Sequence, residues 1–288
     1  MDLFRLPKFS RAFFRSQRPP DEHLWQAESG PMVFIASYWT PGSSSTVRVF
    51  SNCEEVGLAL NGELLERRGP DADRISTHLA HPPFTFPLER FEAGTLEAIG
   101  YIGGRKAAHH LVRTPGAAKR LTLRLDESWR PFAASGKDVA FVHAELKDDA
   151  GTIVPDAWEN VFFGCTGDIE LVGANPFSSG AGIASILVRS EVRDPRGAVF
   201  ALCLPRDGDR IRTLGAALPF GGEVPPLQVR FTIDGSDPAT GGIYGGERLY
   251  ATQRIRAALF AGRALVAKAD TEAPKFRIAG STAPEPSP

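Results

Sequence analysis

Cysteine and methionine are scarce: the 288 residues include three of the first and two of the second. Cys53, Cys165 and Cys203 form an odd set without C-x-x-C spacing, which excludes a disulfide framework and a thiolate zinc site and leaves buried free thiols. Long apolar runs are missing too. None approaches the roughly 18 residues that a membrane span requires. Charges interrupt every apolar stretch near the N-terminus, so no signal peptide is legible there. Neither sign of charge dominates: 33 Lys and Arg stand against 34 Asp and Glu, a formal charge of -1. That balance excludes an overall electrostatic footprint for nucleic acid or an anionic membrane. The expectation is a soluble chain, its compartment undetermined, with neither nucleic acid nor membrane as partner.

Glycine (29) and proline (23) are plentiful, and they punctuate the chain every ten or so residues. Such spacing favours many short strands over long helices. Helix is expected only at the start, where Leu3, Leu6, Phe9 and Phe13 of "MDLFRLPKFSRAFFRSQ" recur at helical spacing among basic residues. Three readings fit this segment: a targeting peptide, a membrane-surface helix, or the last helix of a domain that precedes it.

From Met32 the texture becomes β. "TVRVFS" and "VGLAL" largely alternate, and Asn61-Gly62 is a strong two-residue hairpin signal, with a second hairpin expected at Gly103-Gly104. "DVAFVHAELK" sets Ala140, Val142, Ala144 and Leu146 on the face expected to be buried, opposite Val139, Phe141, His143 and Glu145. The fold class expected is all-β: tandem immunoglobulin-like β-sandwiches preceded by one short N-terminal helix. The divisions are a helix in 1–20, sandwiches in 31–115 and 117–205, a Gly/Pro-rich linker in 206–225, a small β module in 226–270 and a disordered tail in 271–288.

Three stretches carry a resemblance. "RVFSNCEEVGLALNGELL" with "GTLEAIGYIGGRKAAHHLVRTPG" resembles the β-sandwich that follows the catalytic barrel in family-two glycoside hydrolases of the β-galactosidase type. "DVAFVHAELKDDAGTIVPDAWENVFFGCTGDIELVGANPFSSG" is similar to the immunoglobulin-like domain that comes next in those enzymes. "VRFTIDGSDPATGGIYGGERLYATQRIRAALFAGR" resembles a chitobiase-like C-terminal β module. Together they cover most of residues 31–270. The opening segment is similar to the end of the barrel, which favours the third reading of the helix.

The resemblance implies the non-catalytic C-terminal region of such a glycosidase, with the enzyme's catalytic barrel as its partner. Retaining glycosidases need two carboxyl groups roughly 5–5.5 Å apart, and the family carries both on barrel strands. No position here matches either motif, so no catalytic residue is named. Glu54, Glu55, Asp148 and Asp149 sit beside turns and read as surface acids. No metal or cofactor is expected. His109 and His110 are strand neighbours pointing to opposite faces, and His78 and His81 lack further ligands nearby. Asp234, Ser236 and Asp237 fit a side-chain-capped turn better than a calcium loop. Carbohydrate is the remaining possible partner, because sugars stack on exposed aromatic rings. Of Trp25, Tyr38, Trp39, Trp129 and Trp158, the foremost candidates are Trp39 and Trp158, each weighed against ordinary packing. The alternative is a stand-alone carbohydrate-binding or adhesion protein of tandem β modules.

Overall fold

The computed structural model describes residues 4–24, 28–127, 131–132 and 138–273. The chain forms two compact units, Met1–Thr114 and Pro115–Pro288. Both are all-β, and α1 (Phe9–Ser16) is the one α-helix among the described residues.

The first unit is a seven-stranded sandwich. Strands β1 (Val33–Ile35), β2 (Thr46–Ser51) and β5 (Phe84–Pro87) form one antiparallel sheet in the order β1-β2-β5. The other, β4-β3-β6-β7, combines β3 (Glu55–Leu60), β4 (Glu63–Arg68), β6 (Thr95–Ile102) and β7 (Arg105–Arg113). Alternation drives Val47, Val49, Leu58, Phe84, Phe86 and Leu96 into the shared core. Both expected hairpins form. Asn61 and Gly62 take φ +52° and +86° between β3 and β4, and Gly103 and Gly104 take +55° and +73° between β6 and β7. Positive φ at both central residues matches the right-handed strand twist.

Helix α1 lies against the outer side of the three-stranded sheet. Phe9 meets Phe34 and Tyr38 at ring-centroid distances of 5.7 and 4.8 Å, and Phe13 meets Phe50 at 5.4 Å. Phe34 and Phe50 are the strand positions that alternate away from the core, so the helix covers what the sandwich cannot bury. Arg11 and Arg15 both reach Glu28, and the Gln17 amide exchanges two hydrogen bonds with the backbone of His81.

The second unit begins with a sandwich of two four-stranded sheets. One is β11-β13-β9-β8, from β8 (Arg120–Leu125), β9 (Asp138–Lys147), β11 (Glu170–Val172) and β13 (Ile183–Ser190). The other is β12-β10-β14-β17, from β10 (Asn160–Gly167), β12 (Phe177–Ser178), β14 (Gly197–Cys203) and β17 (Leu214–Phe220). Ala140, Val142, Ala144 and Leu146 face the core as the alternation predicts.

The stretch 206–225, expected as a linker, is in large part structured. Strand β17 pairs with β14 from Gly197↔Phe220 to Cys203↔Leu214 and carries the sandwich on to Phe220 rather than Leu204. Pro219 disguises it, yet β17 is an edge strand, where a missing N–H is tolerated. Strands β15 (Arg206–Asp207) and β16 (Arg210–Ile211) make a hairpin that pairs with β20 (Leu249–Tyr250). The C-terminal module is completed by β18 (Leu227–Thr232), β19 (Gly242–Ile243), β21 (Arg256–Ala261) and β22 (Ala264–Asp270), in the order β19-β18-β21-β22.

That module packs on the outer face of β14, where Ala198, Phe200 and Leu202 meet Ile255, Ala257, Leu259 and Ala267. The unbroken apolar run of β14 follows from burial on both faces. Burying Phe200 or Leu202 this way is worth roughly 1.5–3 kcal/mol each. Gly164 on β10 is required for this contact, because a Cβ there would collide with the carbonyl of Val266 on β22.

Candidate functional site

The motif residues that carry the resemblance turn out to satisfy backbone groups. Ser51 donates its hydroxyl to the Met32 carbonyl at 2.7 Å and accepts the Cys53 N–H at 3.0 Å. Asn52 accepts the Met32 N–H at 2.7 Å and donates to the carbonyls of Gly30 and Arg18, both at 3.1 Å. Asp148 accepts the N–H groups of Gly116, Ala150 and Thr152 within 3.0 Å. Asp234 and Asp237 cap their own turn through the N–H groups of Ser236 and Ala239, and Asp237 also holds Lys268. Each is a side chain spent on tying irregular backbone.

The acids are engaged in the same spirit. Glu54 accepts the Gly103 N–H at 2.7 Å, Glu55 pairs with Arg67, and Asp149 pairs with Lys119. Glu145 on β9 is buried between Arg124 and Lys147, at 3.1 and 2.6 Å. Burial works to raise its carboxyl, but hydrogen bonds and charge from Lys147 and Arg124 outweigh that and hold it below its ordinary value. A carboxylate so paired is a poor proton donor at neutral pH.

One couple escaped the sequence reading. His143 Nδ1 lies 2.8 Å from Ser185 Oγ, which places a potential nucleophile against a potential base 42 residues away. His143 is 1% exposed and Ser185 3%, so no substrate carbonyl can reach the hydroxyl. The pair is a cross-strand tie between β9 and β13, where the two residues are register partners. Its only sequence signal was the polar face of β9.

Among the described residues no three His, Cys, Asp or Glu side chains converge as a metal site would demand. His109 and His110 do point apart. The first reaches Glu97 at 3.0 Å, while the second turns inward to accept the Ile35 N–H at 3.2 Å. Cys53 is buried, and that burial pushes its thiol up from its ordinary value.

The aromatic candidates separate clearly. Trp39 is 0% exposed, packs in the first core beside Phe91 at 4.9 Å, and donates its indole N–H to the Glu92 carbonyl at 2.9 Å. A ring with no exposed face cannot stack on a sugar, so Trp39 is a core residue and not a contact. Trp158 is half-buried, just before β10, between two residues tied to Ser179: Ala157 through its carbonyl and Glu159 through its N–H. Tyr38 is 49% exposed beside Phe9. Trp25 and Trp129 lie outside the described residues.

Fold and site together define a tandem β-sandwich scaffold whose distinctive polar residues maintain backbone geometry. Residues 42–108, within the first sandwich, match a family model described as "Domain of unknown function (DUF4982)". Over 202 residues the chain is 37% identical to a beta-galactosidase of Thermoanaerobacter pseudethanolicus, a match covering 66% of this chain and 26% of that enzyme. It is 31% identical over 182 residues to the beta-galactosidase BoGH2A of Bacteroides ovatus, covering 62% of this chain and 19% of the relative. A solved beta-glucuronidase from glycoside hydrolase family 2 shares the fold at TM-score 0.56 and 24% identity, over 75% of this chain and 22% of its own. The chain thus spans about a fifth to about a quarter of the length of these relatives. The chain is similar to these beta-galactosidases over a minor part of their length. No helix among the described residues is long and apolar enough to cross a membrane.

Proposed function

We propose that this chain is the accessory C-terminal β-sandwich region of a β-galactosidase-like enzyme, acting as scaffold for a catalytic barrel that supplies both carboxylates. The observation that carries this reading is the 37% identity to a beta-galactosidase over only 26% of that enzyme's length. The engagement of Glu54, Glu55, Glu145, Asp148 and Asp149 by basic or backbone partners supports it, since none is left as a free general acid. The parent reaction would be retaining hydrolysis of a terminal β-glycoside, with the sandwiches fixing the barrel and Trp158 offering a half-buried ring at which a sugar could stack. Helix α1 would belong to the end of that barrel.

The test pairs the purified chain with a separately expressed barrel from the same enzyme. The isolated chain should not hydrolyse nitrophenyl β-galactoside, and adding it should raise the barrel's activity and melting temperature. Turnover by the chain alone would overturn the reading. So would glycan binding without barrel association, the signature of a stand-alone adhesion module.

A further inference from the structure

Strand β7 is an edge strand, and His110 is its one inward-facing ionisable residue, opposite Ala98 of β6. Its Nδ1 accepts the backbone N–H of Ile35 on β1 at 3.2 Å, a bond that crosses between the two sheets of the N-terminal sandwich. The imidazole also packs on the Phe34 ring at 4.6 Å, and Phe34 in turn carries Phe9 of α1 at 5.7 Å. Strand β1 has three residues and pairs with β2 on one side, its start held by Ser51 and Asn52 at Met32, so the Ile35 N–H on the other side relies on His110. We propose that His110 is an acid-released latch holding β1, and through Phe34 helix α1, to the rest of the N-terminal sandwich.

The chemistry is that of a single lone pair. Accepting from Ile35 requires Nδ1 to be bare and the proton to sit on Nε2. A second proton goes onto Nδ1 and sets donor against donor, leaving the fully buried Ile35 with an unsatisfied N–H. Among the described residues nothing supplies the imidazolium with a counter-charge. Beside it on β7, His109 points to the opposite face, where it engages Glu97 of β6. Strand β1 presents Val33, Phe34 and Ile35, none ionisable, and on α1 Arg11 and Arg15 are directed at Glu28. Burial, with a smaller contribution from His109, lowers the basicity of His110 from its ordinary value. A histidine whose folded pKa is depressed stabilises fully above its unfolded value of about 6.5, and that stability drains away as pH falls below it.

The experiment is thermal melting and amide exchange of the full chain between pH 7.5 and 5. It compares the native protein with His110→Gln, whose amide oxygen can accept from Ile35 without titrating, and with His109→Gln. The native N-terminal transition should fall by roughly 5 °C across the range. Exchange at Ile35 and along α1 should quicken by about tenfold beyond the intrinsic pH effect. His110→Gln should flatten both responses and His109→Gln should keep them. An unchanged pH slope in His110→Gln overturns the latch. If that variant fails to fold, NMR titration of the native imidazole decides: a pKa at or above the ordinary value overturns it, and a depressed one supports it.

Discussion

Asn175 satisfies both backbone groups of Phe163: its Oδ1 accepts the Phe163 N–H at 2.8 Å and its Nδ2 donates to the Phe163 carbonyl at 2.7 Å. Strand β12 pairs with β10 only at Asn160 and Val161. Asn175 therefore continues, with a side chain, a ladder that the backbone leaves unfinished. Phe163 is buried, so both groups would otherwise be stranded away from water. Asn175→Ala should destabilise the C-terminal unit by about 2–4 kcal/mol, read by urea denaturation. Asn175→Asp should recover only part of that loss, because a carboxylate can accept from the N–H but repels the carbonyl.

Helix α1 is not a loose appendage, and its removal should be felt. Deleting residues 1–20 uncovers Phe34 and Phe50 and takes the Arg18 carbonyl from Asn52. The expected cost to the N-terminal unit is about 2–4 kcal/mol, from the two packed phenylalanines and the lost hydrogen bond. Phe14, 71% exposed on the same helix, is the internal control. Phe14→Ser should leave the melting temperature within about 1–2 °C of native. A truncated chain that melts like the native one would show that the helix contributes nothing in solution.

Strands with clear alternation or an unbroken apolar run were legible, and β17, interrupted by turn residues, was not. β9 announced its core face because Ala140, Val142, Ala144 and Leu146 share one side of the sheet. Asn61-Gly62 announced its hairpin because few other pairs accept positive φ at two successive residues. β17 was hidden by Gly215 and Pro219, which mark loops unless the strand is known to lie at an edge or against a close neighbour. Gly215 faces Leu259 of the C-terminal module, a contact made across some forty residues of chain that local pattern cannot register. Trp39 was misplaced for a similar reason. Tryptophan suits both a sugar platform and a core, and only burial separates Trp39 from Trp158.

The C-terminal module depends on bare backbone at Gly164. A methyl group there would meet the Val266 carbonyl, a backbone atom at the bulge of β22 that cannot rotate away as a side-chain tip could. Gly164→Ala should therefore separate β22 from β10 and loosen the Phe200–Leu259 packing. We expect a loss of about 1–3 kcal/mol. Proteolysis should cut more readily after Phe220 while the sandwich core of Val142, Leu146 and Val199 stays protected. Equal cleavage of variant and native chains would show that the strands can part at no cost.

Acid should reach the C-terminal unit through Glu145. Its carboxyl is held below the ordinary value near 4.5 by Lys147 and Arg124, in spite of burial. A carboxylate with a depressed folded pKa stabilises above the unfolded pKa and loses that contribution as pH falls through the folded one. The unfolded state takes up the proton first, so stability declines from about pH 4.5 downward. Glu145→Gln keeps the size of the side chain and removes the charge, which leaves Lys147 and Arg124 with a weaker acceptor. At pH 7 the variant should be about 1–2 kcal/mol less stable than native. Between pH 5 and pH 3 the two stability curves should converge, since the native carboxyl is then neutralised as well. A gap that stays constant with pH would mean that the ion pairs contribute nothing and the loss comes from packing alone.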